Sequence, residues 1–160
     1  MPDWICKRFE ELTPEELYAV IKLRNEVFVV EQNCVYQDAD GKDVCCFHLL
    51  GYADNNLAAY ARLVPAKTAF QEISIGRVVT SPAYRKVGAG RQLMHKAIEQ
   101  CYELFGKQPI RIGAQLYLKK FYESFGFVQM SEMYLEDDIP HIEMLLASDT
   151  VFTIKKTFTP

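Results

Sequence analysis

The sequence predicts a single α/β domain of the α+β kind, with one mixed central sheet of about six to seven strands and helices flanking it. Three observations lead there. Short β-branched runs and helical patterns alternate along the chain. The clearest amphipathic pattern, Gly88 to Phe105, has strand-like runs on both sides. No repeat, low-complexity tract or linker divides the chain, so one core serves every element.

Residues 4–9 read as a first strand. Thr13-Pro14-Glu15-Glu16 is a helix start: Thr13 can cap, Pro14 suits the first helical position, and Glu16 completes a capping box. That helix is expected to run to about Phe28, with Leu17, Val20, Ile21, Arg24 and Phe28 at helical spacing. Residues 31–43 are polar and irregular, hence loop. Runs at 45–53 and 57–64, joined by Asp54-Asn55-Asn56, predict a hairpin. Gln71 to Thr80 is rich in β-branched residues and stops at Ser81-Pro82.

From Gly88 to Phe105, Leu93, Met94, Ala97, Ile98, Cys101, Leu104 and Phe105 share one face. Ile110 to Gln115 reads as a short strand. Leu116 to Phe125 reads as a helix stopped by Gly126. Phe127 to Met133 and Ile142 to Leu146 read as closing strands. The domain is expected over 1–147, with 148–160 a tail or an extra strand at Val151 to Ile154.

Composition narrows the function classes. Among 160 residues, 49% are hydrophobic and 24% charged, which suits a packed core and not a disordered chain. A net charge of −3 gives none of the basic bias that a duplex nucleic-acid partner calls for. No apolar stretch is long enough to span a membrane, and Met-Pro-Asp-Trp followed by Lys7, Arg8, Glu10 and Glu11 is no secretory signal, so a cytoplasmic protein is expected. Five cysteines and three histidines are spaced like no metal or redox motif, so no metal is expected.

The informative stretch is Val78 to Arg91. A strand ends, a turn follows, and a Gly-rich loop opens an amphipathic helix. Helix N-termini leave backbone N–H groups unpaired and carry partial positive charge. Gly88 and Gly90 let the backbone approach a phosphate, and Arg85, Lys86 and Arg91 add charge. This is an anion cradle. No Gly-Lys-Ser/Thr follows, so it is not a Walker loop, and the third glycine of a dinucleotide fingerprint is absent.

The run Arg85-Lys86-Val87-Gly88-Ala89-Gly90 after a Val-rich strand resembles the acetyl-CoA motif of the GCN5-related N-acetyltransferases (GNAT). Phe121-Tyr122-Glu123-Ser124-Phe125-Gly126-Phe127 is similar to a second element of that family. Arg24 to Gln32, Asp40 to Asp43, His48-Leu49 and Tyr134 to Ile142 resemble its ElaA-type branch, so the likeness spans nearly all of residues 4–147.

The resemblance implies splayed parallel strands and an N-acetyltransferase that moves acetyl from acetyl-CoA to a primary amine, in a small molecule or a protein, by direct attack. It implies cofactor contacts at Val78, Val79, Arg85, Lys86, Val87, Gly88, Ala89, Gly90, Arg91 and Gln115. Members of the family often form homodimers. The resemblance puts Tyr122 at the general-acid position, although by spacing alone it reads as a core aromatic beside Tyr117, Phe121 and Phe125. A base is less clear. Ser74 stands where many relatives carry a carboxylate. Glu72, two residues earlier on the same face, would act through water or be an ordinary strand-edge carboxylate. His141 and Glu31 are rivals. Arg24 and Arg77 fall in apolar surroundings and call for partners among Glu31, Asp40 and Asp43. Two other readings stay open: a non-catalytic acyl-CoA-binding module, and acyl-homoserine-lactone-synthase chemistry, which shares the fold.

Overall fold

The computed structural model describes residues 2–149, apart from the side chains of Lys86 and Val87. The expected strand at Val151 to Ile154 lies outside the described residues. Helix α1 (Pro14–Arg24) begins as its capping box dictates: Thr13 Oγ1 accepts from the Glu16 N–H at 3.1 Å, and the Glu16 carboxylate accepts from the Thr13 N–H at 2.9 Å. Glu16 also meets Lys7 Nζ at 2.7 Å, which ties α1 to the first strand.

The helical pattern continues past Arg24, but the α-helix does not. Over Asn25–Glu31 the chain widens into a π turn, and bonds then skip five residues: Gln32 N–H to the Val27 carbonyl (3.1 Å), Cys34 N–H to that of Val29 (3.0 Å). Such turns gather at functional sites.

Among the described residues eight strands form one sheet: β1 (Asp3–Arg8), β2 (Phe47–Ala53), β3 (Asn56–Val64), β4 (Ile73–Thr80), β5 (Ile110–Gln115), β6 (Val128–Gln129), β7 (Tyr134–Glu136) and β8 (Ile139–Leu146). Their order is β1-β2-β3-β4-β5-β8-β6, with β7 also on β8. β4 and β5 run parallel and the other described pairs antiparallel. Alternation along the strands feeds two cores. Leu49, Ala59, Ala61 and Leu63 meet Leu93, Met94, Ala97 and Ile98 of α2 (Ala89–Phe105) on one face. On the other, Leu50, Tyr60 and Val79 meet Val20 and Leu23 of α1.

Several expectations change. The sheet gains β7, whose three residues are all exposed and so show no alternation of buried and exposed positions. The expected strand at 127–133 shrinks to Val128–Gln129. The helix expected at 116–125 is a 3-10 turn, Leu116–Leu118, followed by α3 (Lys119–Glu123).

Two irregularities open the sheet. β4 and β5 pair only at Ile73 with Ile110 and Ser74 with Arg111, then diverge. β5 instead follows β8 from Ile110 opposite Leu146 to Gln115 opposite His141. On the other side of β4, Tyr60 faces Val79 while Arg62 faces Gly76, so β4 carries one residue more than β3 in that interval. That is a β-bulge, and Arg77 within it has φ +53°.

Candidate active site

The gap between β4 and β5 is a cavity of about 840 Å³. β4 contributes Ser74 through Thr80 to its lining, and β5 contributes Gly113 and Gln115. Beyond Ser74 the edge of β4 toward β5 has no strand beside it among the described residues, and it borders the cavity. Gly113 keeps the opposite wall thin: a Cβ there would stand 3.4 Å from the Tyr134 hydroxyl and 3.9 Å from Phe70.

Tyr122, on α3, reaches the cavity with only 6% of its surface exposed. Burial, with a smaller push from Tyr117, raises its pKa well above a phenol's ordinary value. Its ring packs edge-on against Phe121 and Phe127. Among the described residues its hydroxyl has no hydrogen-bond partner.

His141, on β8, is a second wall residue. Its Nδ1 lies 2.7 Å from the Ile139 carbonyl, which only accepts, so Nδ1 carries a proton, and in the neutral ring Nε2 is the acceptor. Glu136 Oε2 stands 3.6 Å from that Nε2. Gln115 lines the same cavity and donates to Gln32 Oε1 at 3.1 Å.

The α2 N-terminus lies at the mouth. Gly88 has φ +78°, a conformation that costs an L side chain roughly 1–2 kcal/mol. It offers no capping side chain. Arg91 N–H bonds the Gly88 carbonyl at 3.1 Å, and the first N–H groups of any α-helix have no partner within the helix itself. Arg85 and Gly90 line the cavity, while the Arg91 guanidinium stacks on the Phe125 ring at 5.5 Å. Arg85 meets Glu31 at 2.8 Å across the mouth. These features suit a polyanion entering a cleft.

A charge network of Arg24, Arg62 and Arg77 with Asp38, Asp40 and Asp43 adjoins the cavity, with Asp40, Arg62 and Arg77 in its lining. Arg24 is fully buried and bonds Asp38 (2.6 Å) and Asp43 (2.8 Å). Arg62 bonds Asp40 (2.7 and 2.8 Å) and Asp43 (2.9 Å). Arg77 bonds Asp38 at 2.8 Å. Arg62 holds Asp40 well below the usual carboxylate range. Removing one partner from such a network leaves a buried charge, at a cost of about 3–5 kcal/mol.

A family model for the acetyltransferase (GNAT) domain matches residues 10–148. The chain belongs to the GNAT acetyltransferase family.

It is similar to protein ElaA of Escherichia coli, 44% identical over 146 residues that cover 90% of this chain and 95% of that one. The crystal structure of Escherichia coli ElaA superposes with a TM-score of 0.85 at 43% identity, covering 91% of this chain and 99% of the other. That of an acyl-CoA N-acyltransferase from Pseudomonas aeruginosa gives 0.87 at 46% identity, covering 92% and 100%. A CoA-dependent acyl-homoserine lactone synthase shares the fold, with a TM-score of 0.74 at 17% identity over 92% of this chain and 82% of that one.

Within this GNAT fold, Tyr122, His141, Val78, Val79, Arg85, Gly90 and Gln115 come together around one cavity. Gly88, Ala89 and Arg91 begin the helix at its mouth, and the side chains of Lys86 and Val87 lie outside the described set. Glu72 stands apart from this group. It precedes β4, is not part of the cavity wall, and is gripped by Arg111 through two 2.9 Å bonds. Those bonds lower its pKa, occupy both oxygens and tie the start of β4 to β5. The partners of Arg24 and Arg77 include Asp43 and Asp40, as anticipated. Asp38, which both share, gave no signal in the sequence beyond its place in a polar loop, and Glu31 pairs with Arg85 instead. Tyr134 and Glu136, from the run Tyr134 to Ile142, also reach the cavity, as do Tyr36 and Phe70, which nothing in the sequence singled out.

Proposed function

We propose that the chain is a cytoplasmic N-acetyltransferase that moves an acetyl group from acetyl-CoA to a primary amine by direct attack. The carrying observation is the β4/β5 cleft, where Tyr122, whose hydroxyl has no partner among the described residues, and His141, whose Nδ1 is held by the Ile139 carbonyl, line one cavity beside a helix N-terminus that has no side-chain cap. All five cysteines are free thiols, which suits a reducing compartment.

The residues fit an acyl-CoA. First-turn N–H groups of α2 and the Arg85 side chain would hold its phosphates, with Lys86, Val87, Gly88, Ala89, Gly90 and Arg91 making up the loop. The open β4 edge at Val78 and Val79 would pair with an extended amide chain as a strand does, and Gln115 would contact it from β5. An acyl-CoA supplies a thioester carbonyl carbon for the amine to attack.

His141 Nε2 takes the amine proton as the N–C bond forms. A backbone N–H of the β4 edge near Val79 stabilises charge growing on the carbonyl oxygen. Tyr122 gives its proton to the sulfur as the C–S bond breaks. No enzyme nucleophile is required. The acceptor, small molecule or protein, enters past Tyr36, Phe70 and Tyr134.

The test is release of free CoA thiol from acetyl-CoA across a panel of primary amines, with product masses. Acetylated amine at a rate above the uncatalysed one supports the reading. Binding of acetyl-CoA without thiol release from any amine would favour a non-catalytic acyl-CoA-binding module instead, and a lactone product would favour homoserine-lactone-synthase chemistry.

A further inference from the structure

Arg77 occupies the bulge position at which glycine ordinarily supplies a left-handed turn. Its φ is +53°, and the glycine next to it, Gly76, does not have a positive φ. A non-glycine residue stays in that region only when its surroundings over-determine it.

Here they do. Arg77 Nε donates to Asp38 Oδ1 at 2.8 Å, and Nη2 donates to the Asp38 carbonyl at 3.0 Å and to Asp40 Oδ2 at 3.4 Å. The guanidinium lies over the Tyr36 ring at 5.9 Å. The anchor is itself fixed. Asp38 Oδ2 accepts from Arg24 Nε at 2.6 Å, its carbonyl accepts from Arg24 Nη2 at 3.0 Å, and Oδ1 accepts from the Tyr36 hydroxyl at 2.9 Å. The Asp38 side chain is 2% exposed and that of Arg24 is 0%.

The bulge decides which β4 groups meet the cleft. Pairing resumes immediately beyond it, with Val79 opposite Tyr60 and Thr80 opposite Ala59. Were the turn to relax into regular strand, the extra residue would be absorbed and Val78 to Thr80 would slip by one. A one-residue slip turns every side chain to the other face and re-aims the backbone edge.

We infer that Arg77 is a positioning residue for acyl transfer: its pairing with Asp38 holds the left-handed bulge that presents Val78 and Val79 to the cleft. The inference rests on the acyl-transfer reading above. It separates two things that a simple structural ion pair would not, the charge of residue 77 and its backbone conformation.

Four variants make that separation. R77G and R77A both remove the ion pair, but glycine accepts a positive φ and alanine resists it. R77N and R77Q repeat the contrast with amides, since asparagine tolerates the left-handed region far better than glutamine. For each, kcat and KM for acetyl-CoA are measured at a saturating amine, beside a thermal melt. Melting temperatures are expected to fall in all four. kcat is expected to fall by about tenfold or more in R77A and R77Q and to stay within about threefold of wild type in R77G and R77N, because small misplacements of reacting groups are costly. If R77A does not fold, the Asn and Gln pair carries the comparison. Equal losses of kcat in all four, or none in any, would overturn the inference while the wild type remains active. A wild type that releases no CoA from any amine would overturn the acyl-transfer reading, and the inference with it.

Discussion

The Nδ1 of His141 lies 2.7 Å from the carbonyl oxygen of Ile139, and this contact fixes the tautomer of the ring. In the neutral ring Nε2 is then the acceptor, and Tyr134 stacks on the ring at 6.0 Å and 26° on the cavity wall. H141A is expected to lower kcat by about a hundredfold or more, the usual range for a lost general base. The stabilisation of the protein by acetyl-CoA should stay as in wild type. Steady-state kinetics and a ligand-shift melt read the two quantities separately, and an unchanged kcat would remove His141 from the mechanism.

Y122F takes away a hydroxyl that has no partner among the described residues and leaves the ring packing of Phe121 and Phe127 in place. Its melting temperature should match or exceed that of wild type, because no protein hydrogen bond is lost. Its kcat should fall by at least about tenfold. Since burial raises the pKa of Tyr122, the wild-type rate should show no loss from phenol ionisation below about pH 10. A Y122F enzyme with full kcat would return Tyr122 to a purely packing role.

Glu72 supplies the opposite expectation. Both its oxygens are taken by Arg111, which also meets Glu143 at 3.0 Å. E72Q should keep kcat within about twofold and lose up to about 1 kcal/mol of stability, the scale of an exposed ion pair. A large fall in kcat with unchanged stability would reinstate it as a base.

Stability should decline in two steps on acidification. His48 is fully buried, donating from Nε2 to the Asp43 carbonyl (2.9 Å) and accepting at Nδ1 from the Tyr60 hydroxyl (2.8 Å). Burial lowers its pKa from 6.5; Asp43 opposes the shift, and Arg24 and Arg62 add to it. The unfolded chain therefore binds this proton first, and stability is lost as pH falls through about 6.5. His95 is lowered too, by burial and Arg91, but it is exposed and adds less.

The second step belongs to carboxylates. Asp40 is lowered chiefly by Arg62; for Asp43, burial pulls upward and is outweighed by Arg24 and Arg62. Depressed carboxylates stabilise above their unfolded value and lose that contribution below about pH 4. Melting temperature against pH in wild type and H48Q checks this. The upper step should vanish in H48Q; its persistence there would contradict the assignment.

Much of the frame was legible because periodicity and punctuation agreed. The capping box at Thr13, the amphipathic stripe of α2 and the bounds of β5 all follow from local chemistry. What stayed hidden has physical reasons. Residues 25–31 keep a helical apolar pattern while the hydrogen bonds widen by one residue, a change no side-chain spacing reports. β7 is exposed along its length, so it carries no alternation. The positive φ falls on Arg77 although Gly76 adjoins it, because a long-range ion pair and not local propensity holds the turn. Counting back along β4 reached Glu72, but a face says nothing of Arg111 waiting across the sheet.

The most direct test of the central claim is a thermal melt of wild type and G88E with and without acetyl-CoA. A ligand that binds only the folded state raises the melting temperature by mass action, about 2.7 kcal/mol at a hundredfold excess over Kd. At Gly88 a side chain meets open space, so the lesion is the strained φ and a negative charge beside the helix N-terminus. A clear rise for wild type, lost in G88E though the variant itself folds, is the predicted result. No rise for wild type at millimolar acetyl-CoA would contradict it.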